Sequence, residues 1–432
     1  MISAARTRTG DCPALNRPSL CLVAALGLGA SLLLSACASD QTVSRPASAS
    51  TSPTQASAPV ERRASVDAIL QAPARLENRL SYGQLSGWAD ANPAPAIAAF
   101  LASCERLSAR PDQDWMNARA EYAGRVGDWR DICLQASLMT PASLTPADAR
   151  AFFERNFTPV SVGHSGKLTG YYEPVMEARA QPDGEFSMAI RARPGDLLTG
   201  DLGQFIAGLE GERIVGRSEN QEFVPYRPRA QIEAENLGVP LAWGRPIDVF
   251  FLQIQGSGRL VYPDGGEARV RFSAHNGLPY VSIGRILIQR GELEPHNASK
   301  QDIKAWLEAR GPLSWRPLFD ENPRYVFFSL DTDINHDVGP IGAQGAPLTP
   351  MASLAVDPAY HAWGVPVFLN AAIDGEPNWS GLVIAQDAGG AIKGPARGDL
   401  FFGWGFEPGE RAGRQNDDHA RWTVLLPHHL VN

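Results

Sequence analysis

Between residues 384 and 405 the chain reads Ile384-Ala-Gln-Asp387-Ala-Gly-Gly-Ala-Ile-Lys393-Gly394, and then Arg397-Gly-Asp399-Leu-Phe-Phe-Gly403-Trp-Gly405. An apolar run enters a glycine-rich turn and an aromatic run leaves it, with two aspartates twelve positions apart bracketing one lysine. This order fits two strands joined by a tight connection. Glycine adopts turn conformations closed to other residues and lets another group come close to the backbone. A carboxyl at the rim of such a turn sits on a rigid edge, which is what acid–base chemistry on a polymer needs. Spacing alone favours a plainer reading, a surface hairpin with two solvated aspartates.

Four other blocks change the balance: Gly166-Lys-Leu-Thr169-Gly170-Tyr171-Tyr172-Glu-Pro174; Phe251-Leu-Gln253-Ile-Gln255-Gly256-Ser257-Gly258; Asn276-Gly277 with Tyr280-Val-Ser-Ile-Gly284; and Asn322-Pro323-Arg-Tyr-Val-Phe-Phe328. With the Asp387 block they resemble, in order and over roughly residues 165 to 425, the membrane-bound lytic murein transglycosylase A (MltA) family with its three-aspartate (3D) domain. The resemblance implies a mainly β fold with an N-terminal helical part. In it a double-psi β-barrel is interrupted by a second β domain, with a substrate groove between the two. It divides the chain into a signal peptide (1–36), a tether (37–62), a helical segment and first barrel part (63–174), an inserted β domain (175–330) and a second barrel part (331–432). Periodicity alone supports only the mainly β class and the helical start.

The activity implied is cleavage of the β-1,4 bond between N-acetylmuramic acid and N-acetylglucosamine, by a carbon–oxygen lyase that forms 1,6-anhydromuropeptides. Glycosidic cleavage needs a proton for the leaving oxygen, and ordinary hydrolases use two carboxyl groups. Here the muramyl C6 hydroxyl attacks its own C1, so one carboxyl serves as acid and then as base. By resemblance that residue is Asp399, whose neighbours Leu400-Phe401-Phe402 are an apolar setting that raises a carboxyl pKa. The Asp387–Asp399 spacing is one residue longer than the family's, which leaves Asp387 open as the alternative. Asp387 otherwise orders the turn, and Asp357 resembles the first of the three aspartates in a structural role. Lys393 reads either as a contact for a lactyl or peptide carboxylate or as a solvated lysine.

Thr169, Tyr171 and Asn276 are expected at the substrate. Gln253, Gln255 and Ser257 alternate, so on a strand they would share one face turned to sugar hydroxyls or to solvent. Tyr171 and Tyr172 would point to opposite sides, one to the groove and one to the core. Two rivals stay open: a two-carboxylate hydrolase using Asp387 with Asp399, and a wall-binding module without catalysis.

The N-terminus sets the address. Arg6, Arg8 and Arg17 precede an apolar run from Leu20 to Leu34, then Leu34-Ser-Ala-Cys37. This is a secretory signal too short to span a bilayer stably. It resembles a lipoprotein cleavage site that would make Cys37 the lipid-bearing first residue. Ala38 in place of aspartate points to the periplasmic face of a Gram-negative outer membrane, held by lipid through Cys37. Residues 38–62, rich in Ser, Ala, Thr, Pro and Gln, read as a flexible tether. Cys104 and Cys133 are then the only cysteines beyond Cys37. In an oxidising compartment they most simply pair with one another, though spacing does not prove it.

Several classes drop out. Losing residues 1–36, with three arginines and one aspartate, takes the formal charge from −8 to −10, against a nucleic-acid partner. Lys393 lacks the order of a phosphate-binding loop. His419, His428 and His429 lack metal spacing, and no Gly-x-Ser-x-Gly elbow occurs. No metal or cofactor is implied. The expected partners are peptidoglycan strands and outer-membrane lipid, with other wall-remodelling proteins as candidates.

The strand readings are Val326–Leu330, Val365–Leu369 and Trp422–Leu426. A helix is expected over Ser299–Arg310, capped by Ser299 and stopped by Gly311. Helical stripes are expected at Val66, Ile69 and Leu70 and over Ala96–Leu107.

Overall fold

The computed structural model describes residues 76 and 78–431 apart from 210–211, 296–297 and 374. The signal, Cys37, the tether and the Val66–Leu70 stripe lie outside the described residues. Among the described residues no helix is long and apolar enough to cross a membrane.

Helices Ala94–Ser108, Arg130–Ser137 and Pro146–Asn156 form the helical part. The first buries Ile97, Phe100, Cys104 and Leu107 along one stripe. The last opens on a reciprocal cap, in which the Thr145 hydroxyl accepts from the Asp148 N–H and the Asp148 carboxyl answers the Thr145 N–H. Phe100, Phe153 and Phe157 meet with ring centroids 5.8–6.3 Å apart, welding these helices to the strand that follows. The Cys104–Cys133 disulfide joins the first two helices, closing a separation of 29 residues.

Strand β1 (Phe157–Glu173) is 17 residues long and enters a closed six-stranded barrel. The chain then builds a separate region. It contains β2 (Val175–Glu177), β3 (Met188–Arg191), β4 (Leu198–Asp201), β5 (Arg213–Glu219), β6 (Glu222–Pro225), β7 (Pro240–Gly244), β8 (Ser257–Val261), β9 (Glu267–His275) and β10 (Val326–Asp331). These pair as a four-stranded sheet β10-β9-β8-β2, a pair β3-β7 and a three-stranded sheet β4-β5-β6. The barrel resumes with β11 (Ser353–Ala355), β12 (Pro366–Ile373), β13 (Glu376–Asp387), β14 (Arg397–Trp404) and β15 (Asn416–Pro427). Its strand order is β1-β14-β11-β13-β12-β15, and its interior is filled by residues such as Leu354, Phe368, Val383, Leu400 and Val424, all fully buried. The three expected strands fall in β10, β12 and β15. The helix Lys300–Arg310 carries its Ser299 cap and ends at Gly311.

One reading is corrected. Residues 251–255 are not strand but the second half of a helix, Pro246–Gln255, and only Ser257 begins β8. Pro246 in the first turn starts this helix and Gly256, at φ 84°, ends it in the left-handed conformation. The apolar run Val249–Leu252 is buried on every side, so it carries no amphipathic stripe by which the helix could be recognised.

Glu173, the last residue of β1, is completely buried. Its carboxylate lies 2.9 Å from Arg259 Nε on β8 and 2.7 Å from Arg269 Nε on β9. The two guanidiniums also donate to the carbonyls of His336 and Val338, at 2.9 and 2.7 Å. Replacing Glu173 by Gln leaves two buried cations facing a neutral amide. Loss of a partner from such a group costs about 3–5 kcal/mol, measurable by urea unfolding. The pair Cys104→Ser and Cys133→Ser is expected to cost roughly 3–4 kcal/mol by the loop-closure argument. Neither cysteine touches the carboxylates described next, so any activity should survive at temperatures where the variant stays folded.

Candidate active site

Register brings the aspartates together. In the barrel Thr169 on β1 pairs with Asp399 on β14, Asp399 pairs with Ala355 on β11, and Ala355 pairs with Asp387 at the end of β13. Thr169, Asp399, Ala355 and Asp387 therefore form one row across four strands. Strands lie about 4.8 Å apart, so the two aspartate backbones are on the order of 10 Å from one another, with a small alanine between them.

Alternation along β1 puts Thr169 and Tyr171 on the same face. Thr169 Oγ1 donates to Asp399 Oδ1 at 2.7 Å, and the Tyr171 hydroxyl donates to Asp387 Oδ2 at 2.8 Å. The expected substrate residues are thus the residues that position the two carboxyls. Tyr172, on the other face, is buried and packs under the Lys300 ammonium, 4.6 Å from its ring centre.

The two carboxyls differ in surroundings. Burial raises the Asp399 pKa from 3.8 to about 6. The Thr169 hydrogen bond and the Arg397 charge pull it down, and Asp387 pushes it up. No second hydrogen bond to Asp399 occurs among the described residues, which leaves Oδ2 open to hold a proton. Of the apolar neighbours expected to produce this shift, only Phe401 shares a face with Asp399. Its ring lies 5.2 Å from that of Tyr171, while Leu400 and Phe402 point to the opposite side.

Asp387 is also raised by burial, but its carboxylate accepts three hydrogen bonds, from the N–H groups of Ala343 (2.8 Å) and Ala388 (2.9 Å) and from Tyr171. Three donors favour the anion. Asp387 ties the turn to the loop at Gly342, where a β-carbon would lie 2.7 Å from the Gln386 carbonyl oxygen and only glycine fits.

Asp357 is 3 % exposed and accepts from the Gly394 N–H at 2.8 Å and the Ala359 N–H at 3.1 Å, fixing the far end of the turn. Lys393 is exposed and lies 3.6 Å from Asp357 rather than at Asp399.

The remaining expectations fare differently. Gln253 is 5 % exposed and accepts from the Arg229 guanidinium, inside the inserted region. Gln255 Oε1 accepts from the Tyr172 N–H at 3.1 Å, joining the helix Pro246–Gln255 to β1. Ser257 stands half-buried at the start of β8. Because helix rather than strand precedes it, the three do not share a face. Asn276 is fully buried, and its amide bonds the carbonyls of Arg227 and Pro323 and the N–H of Tyr325, at 3.0, 2.8 and 2.9 Å. It shapes the inserted region and has nothing left for a sugar.

Two arginines escaped the sequence reading. Arg397 lies two residues before Asp399 on the same strand face, and alternation could have found it. Arg324 lies over the turn, its guanidinium carbon 3.1 Å from where a β-carbon of Gly390 would stand. Nothing local in the sequence announces that contact. Among the described residues no group of three or more His, Cys, Asp or Glu is placed to hold a metal.

Comparison with known proteins gives a consistent answer. The family model described as the MltA specific insert domain matches residues 167–329, and that of the 3D domain matches 352–425. The membrane-bound lytic murein transglycosylase A of Vibrio cholerae is 32% identical over 277 residues, 60% of this chain and 65% of that protein. The Escherichia coli K12 protein of the same name is 31% identical over 267 residues, with the same shares. The chain thus spans 65% of the length of these curated relatives. A crystal structure of a membrane-bound lytic murein transglycosylase from Agrobacterium tumefaciens superposes with a TM-score of 0.72 at 32% identity, covering 82% of this chain and 98% of that one. A structure of MltA from Neisseria gonorrhoeae gives 0.65 at 31% identity, covering 82% and 97%.

The raised pKa has a sign that can be tested. Asp399 binds its proton more tightly folded than unfolded, so its contribution to stability is full below about pH 4 and falls as pH rises toward 6. Asp399→Asn should therefore lie close to the native protein's stability near pH 4 and exceed it by about 3 kcal/mol above pH 7, read by urea titration at both pH values. Thr169→Val removes a donor to the anion and should move the Asp399 titration upward, measured by carboxyl NMR.

Proposed function

The chain belongs to the membrane-bound lytic murein transglycosylase A family, and we propose that it cleaves the β-1,4 bond of peptidoglycan without water, releasing 1,6-anhydromuropeptides. The observation that carries this reading is the inequality of the two carboxyls. Asp399 has a pKa near neutrality and one open oxygen, whereas Asp387 is held by three donors.

In the first step Asp399 donates its proton to the departing O4 of N-acetylglucosamine, as an acid with a pKa near the working pH does best. Positive charge then develops at C1 of the muramyl ring. The C6 hydroxyl of that ring attacks C1, and the Asp399 carboxylate takes the hydroxyl proton and returns to its starting state. The nucleophile is already part of the bound sugar, so no second base is needed to recruit water. Thr169 fixes the rotamer of Asp399, and Arg397 keeps its pKa from rising further. Asp387 and Asp357 are positioning residues that hold the two ends of the glycine-rich turn.

A two-carboxylate hydrolase fits less well. It needs its second carboxylate free to reach water or the anomeric carbon, and the Asp387 oxygens are engaged. A wall-binding module without catalysis gives no reason to bury a carboxyl and raise its pKa.

The finer architecture follows the same reading. The barrel is of the double-psi type, residues 175–330 are an insertion into it, and the glycan lies in a groove between the two, against the row from Thr169 to Asp387. Residues 1–36 are a lipoprotein signal, and Cys37 carries the lipid that holds the enzyme at the periplasmic face of the outer membrane. The Vibrio cholerae and Escherichia coli relatives are named membrane-bound enzymes, which supports that placement.

Mass spectrometry of soluble products from purified sacculi tests the chemistry. The native protein should release fragments one water, ~18 Da, lighter than hydrolysed muropeptides, and Asp399→Asn should release at least ~1,000-fold less. Its rate should fall above an apparent pKa near 6, as the acid loses its proton. Products with a free reducing end would instead assign a hydrolase. Cys37→Ser should move the protein from the membrane fraction to the soluble one.

A further inference from the structure

Arg324 is a cation for which the fold supplies no acid. It stands half-buried just before β10, with its guanidinium against the bare backbone of Gly390, in the turn between Asp387 and Asp399. Its Nη1 donates to the Leu278 carbonyl at 3.1 Å. Nε and Nη2, which share one edge of the guanidinium, make no hydrogen bond among the described residues and are not sealed from solvent. That edge is free to donate.

Among the described residues four arginines have pKa values lowered by burial: Arg229, Arg269, Arg324 and Arg397. Nearby acids push back on three of them, Glu233 and Asp320 on Arg229, Glu173 on Arg269, and Asp399 and Asp418 on Arg397. Nothing pushes back on Arg324. A charge drawn part-way out of water without a counter-ion is costly to hold, and an anion would relieve that cost.

The neighbours do not provide one. His275 pairs with Val326 in the β9–β10 register, and burial with the Arg324 charge lowers its pKa to about 4, so it is neutral at neutral pH. Its Nδ1 accepts from the Gly277 N–H at 2.8 Å, which puts its hydrogen on Nε2 as another donor. Asp387 commits its oxygens to Ala343, Ala388 and Tyr171. On the exposed turn itself, the N–H groups of Gly390 and Ala391 make no hydrogen bond among the described residues. Lys393, the residue from which the sequence suggested a carboxylate contact, lies at Asp357 instead.

A neutral sugar at this place would leave the guanidinium uncompensated. A carboxylate meets Nε and Nη2 with two parallel hydrogen bonds, the geometry for which this edge of arginine is built. We propose that Arg324 binds a carboxylate carried on the O3 substituent of the muramyl ring, and so selects which of the two alternating sugars is presented to Asp399. The identity of the sugar rests on the function proposed above; the anion chemistry does not. The carboxylate is the lactyl group's own in a peptide-free strand, or belongs to the peptide joined to it.

The test measures binding by calorimetry to the full-length chain carrying Asp399→Asn. The probes are soluble peptide-free wall strands, the same strands with their carboxylates converted to methyl amides, and peptide-bearing strands. Neutralising the carboxylates should weaken binding at least about tenfold. Arg324→Gln should bring the ratio of the two affinities close to one, and Arg324→Lys, which keeps the charge but not the fork, should restore part of it. Binding of the methyl-amide strand shows that each variant is folded. Tighter binding of peptide-free strands assigns the lactyl carboxylate, and tighter binding of peptide-bearing strands assigns the peptide's. Equal affinity of native Arg324 for charged and neutralised strands, a ratio that survives Arg324→Gln, or an equal loss for both strands in that variant would each overturn the proposal. Cleavage of sacculi by the native chain is read separately. Its absence alongside carboxylate-dependent binding would remove the enzymatic reading and keep the anion site. Cleavage without carboxylate-dependent binding would do the reverse.

Discussion

A carboxylate with no access to water fixes the geometry of this molecule. Glu173 ends β1, and its charge is compensated only if Arg259 and Arg269, from two strands of the inserted region, arrive on either side. Buried ion pairs of this kind add little net stability, because desolvation consumes most of the Coulombic gain. What they impose is position. Thr169, Tyr171 and Glu173 occur at alternate residues of one strand, and a slip of one residue would turn all of them to the opposite face. The pairing with β14 shifts between Tyr171 and Glu173, so Glu173 anchors the end of β1 to β8 and β9 while Thr169 meets Asp399 in the register before that shift.

The three aspartates show how one side-chain type takes three roles from its surroundings. Asp357 has two backbone N–H partners and a lysine, and it fastens a loop. Asp387 has two backbone N–H partners and a phenol, and it fastens the near end of the glycine-rich turn. Asp399 has a single hydroxyl partner and an aromatic neighbour, and burial pushes its pKa up to about 6. For Asp399 burial opposes the charge, and the one hydroxyl donor from Thr169 offsets that only in part.

Legibility of these features in the sequence depended on how local their causes are. The Ser299 cap, the stop at Gly311 and the β-branched and aromatic runs of β10, β12 and β15 are signalled within a few residues, and the structure has them there. Cys104 and Cys133 could be paired because no other cysteine followed Cys37. The helix Pro246–Gln255 could not be read, because its continuously buried run Val249–Leu252 shows no period and its Gln-x-Gln-x-Ser ending imitates a strand. The roles of Gln253 and Asn276 were hidden for a related reason. Their partners are Arg229, Arg227, Pro323 and Tyr325, and only the folded chain brings these near. Asp399 was found through its block. Its pairing with Thr169, 230 residues away, needed the closed barrel.

The same barrel closure explains how a destabilising acid can be kept. At neutral pH the ionised Asp399 is held in surroundings that favour its neutral form, so the site opposes folding there. The opposition is tolerable because the row is part of the barrel wall. The backbone of Asp399 is fixed by the β1–β14 and β11–β14 ladders, and those ladders back onto a core of fully buried side chains, Leu354 and Leu400 among them. An aspartate on a mobile loop would relax toward solvent and recover its ordinary pKa. Strain at the carboxyl and rigidity of the sheet are thus one requirement seen from two sides. The glycine-rich turn between Asp387 and Asp399 fits the same demand: it connects the two strands, Asp387 and Asp357 hold its ends, and the missing β-carbon at Gly390 admits the Arg324 guanidinium of the inserted region against its backbone.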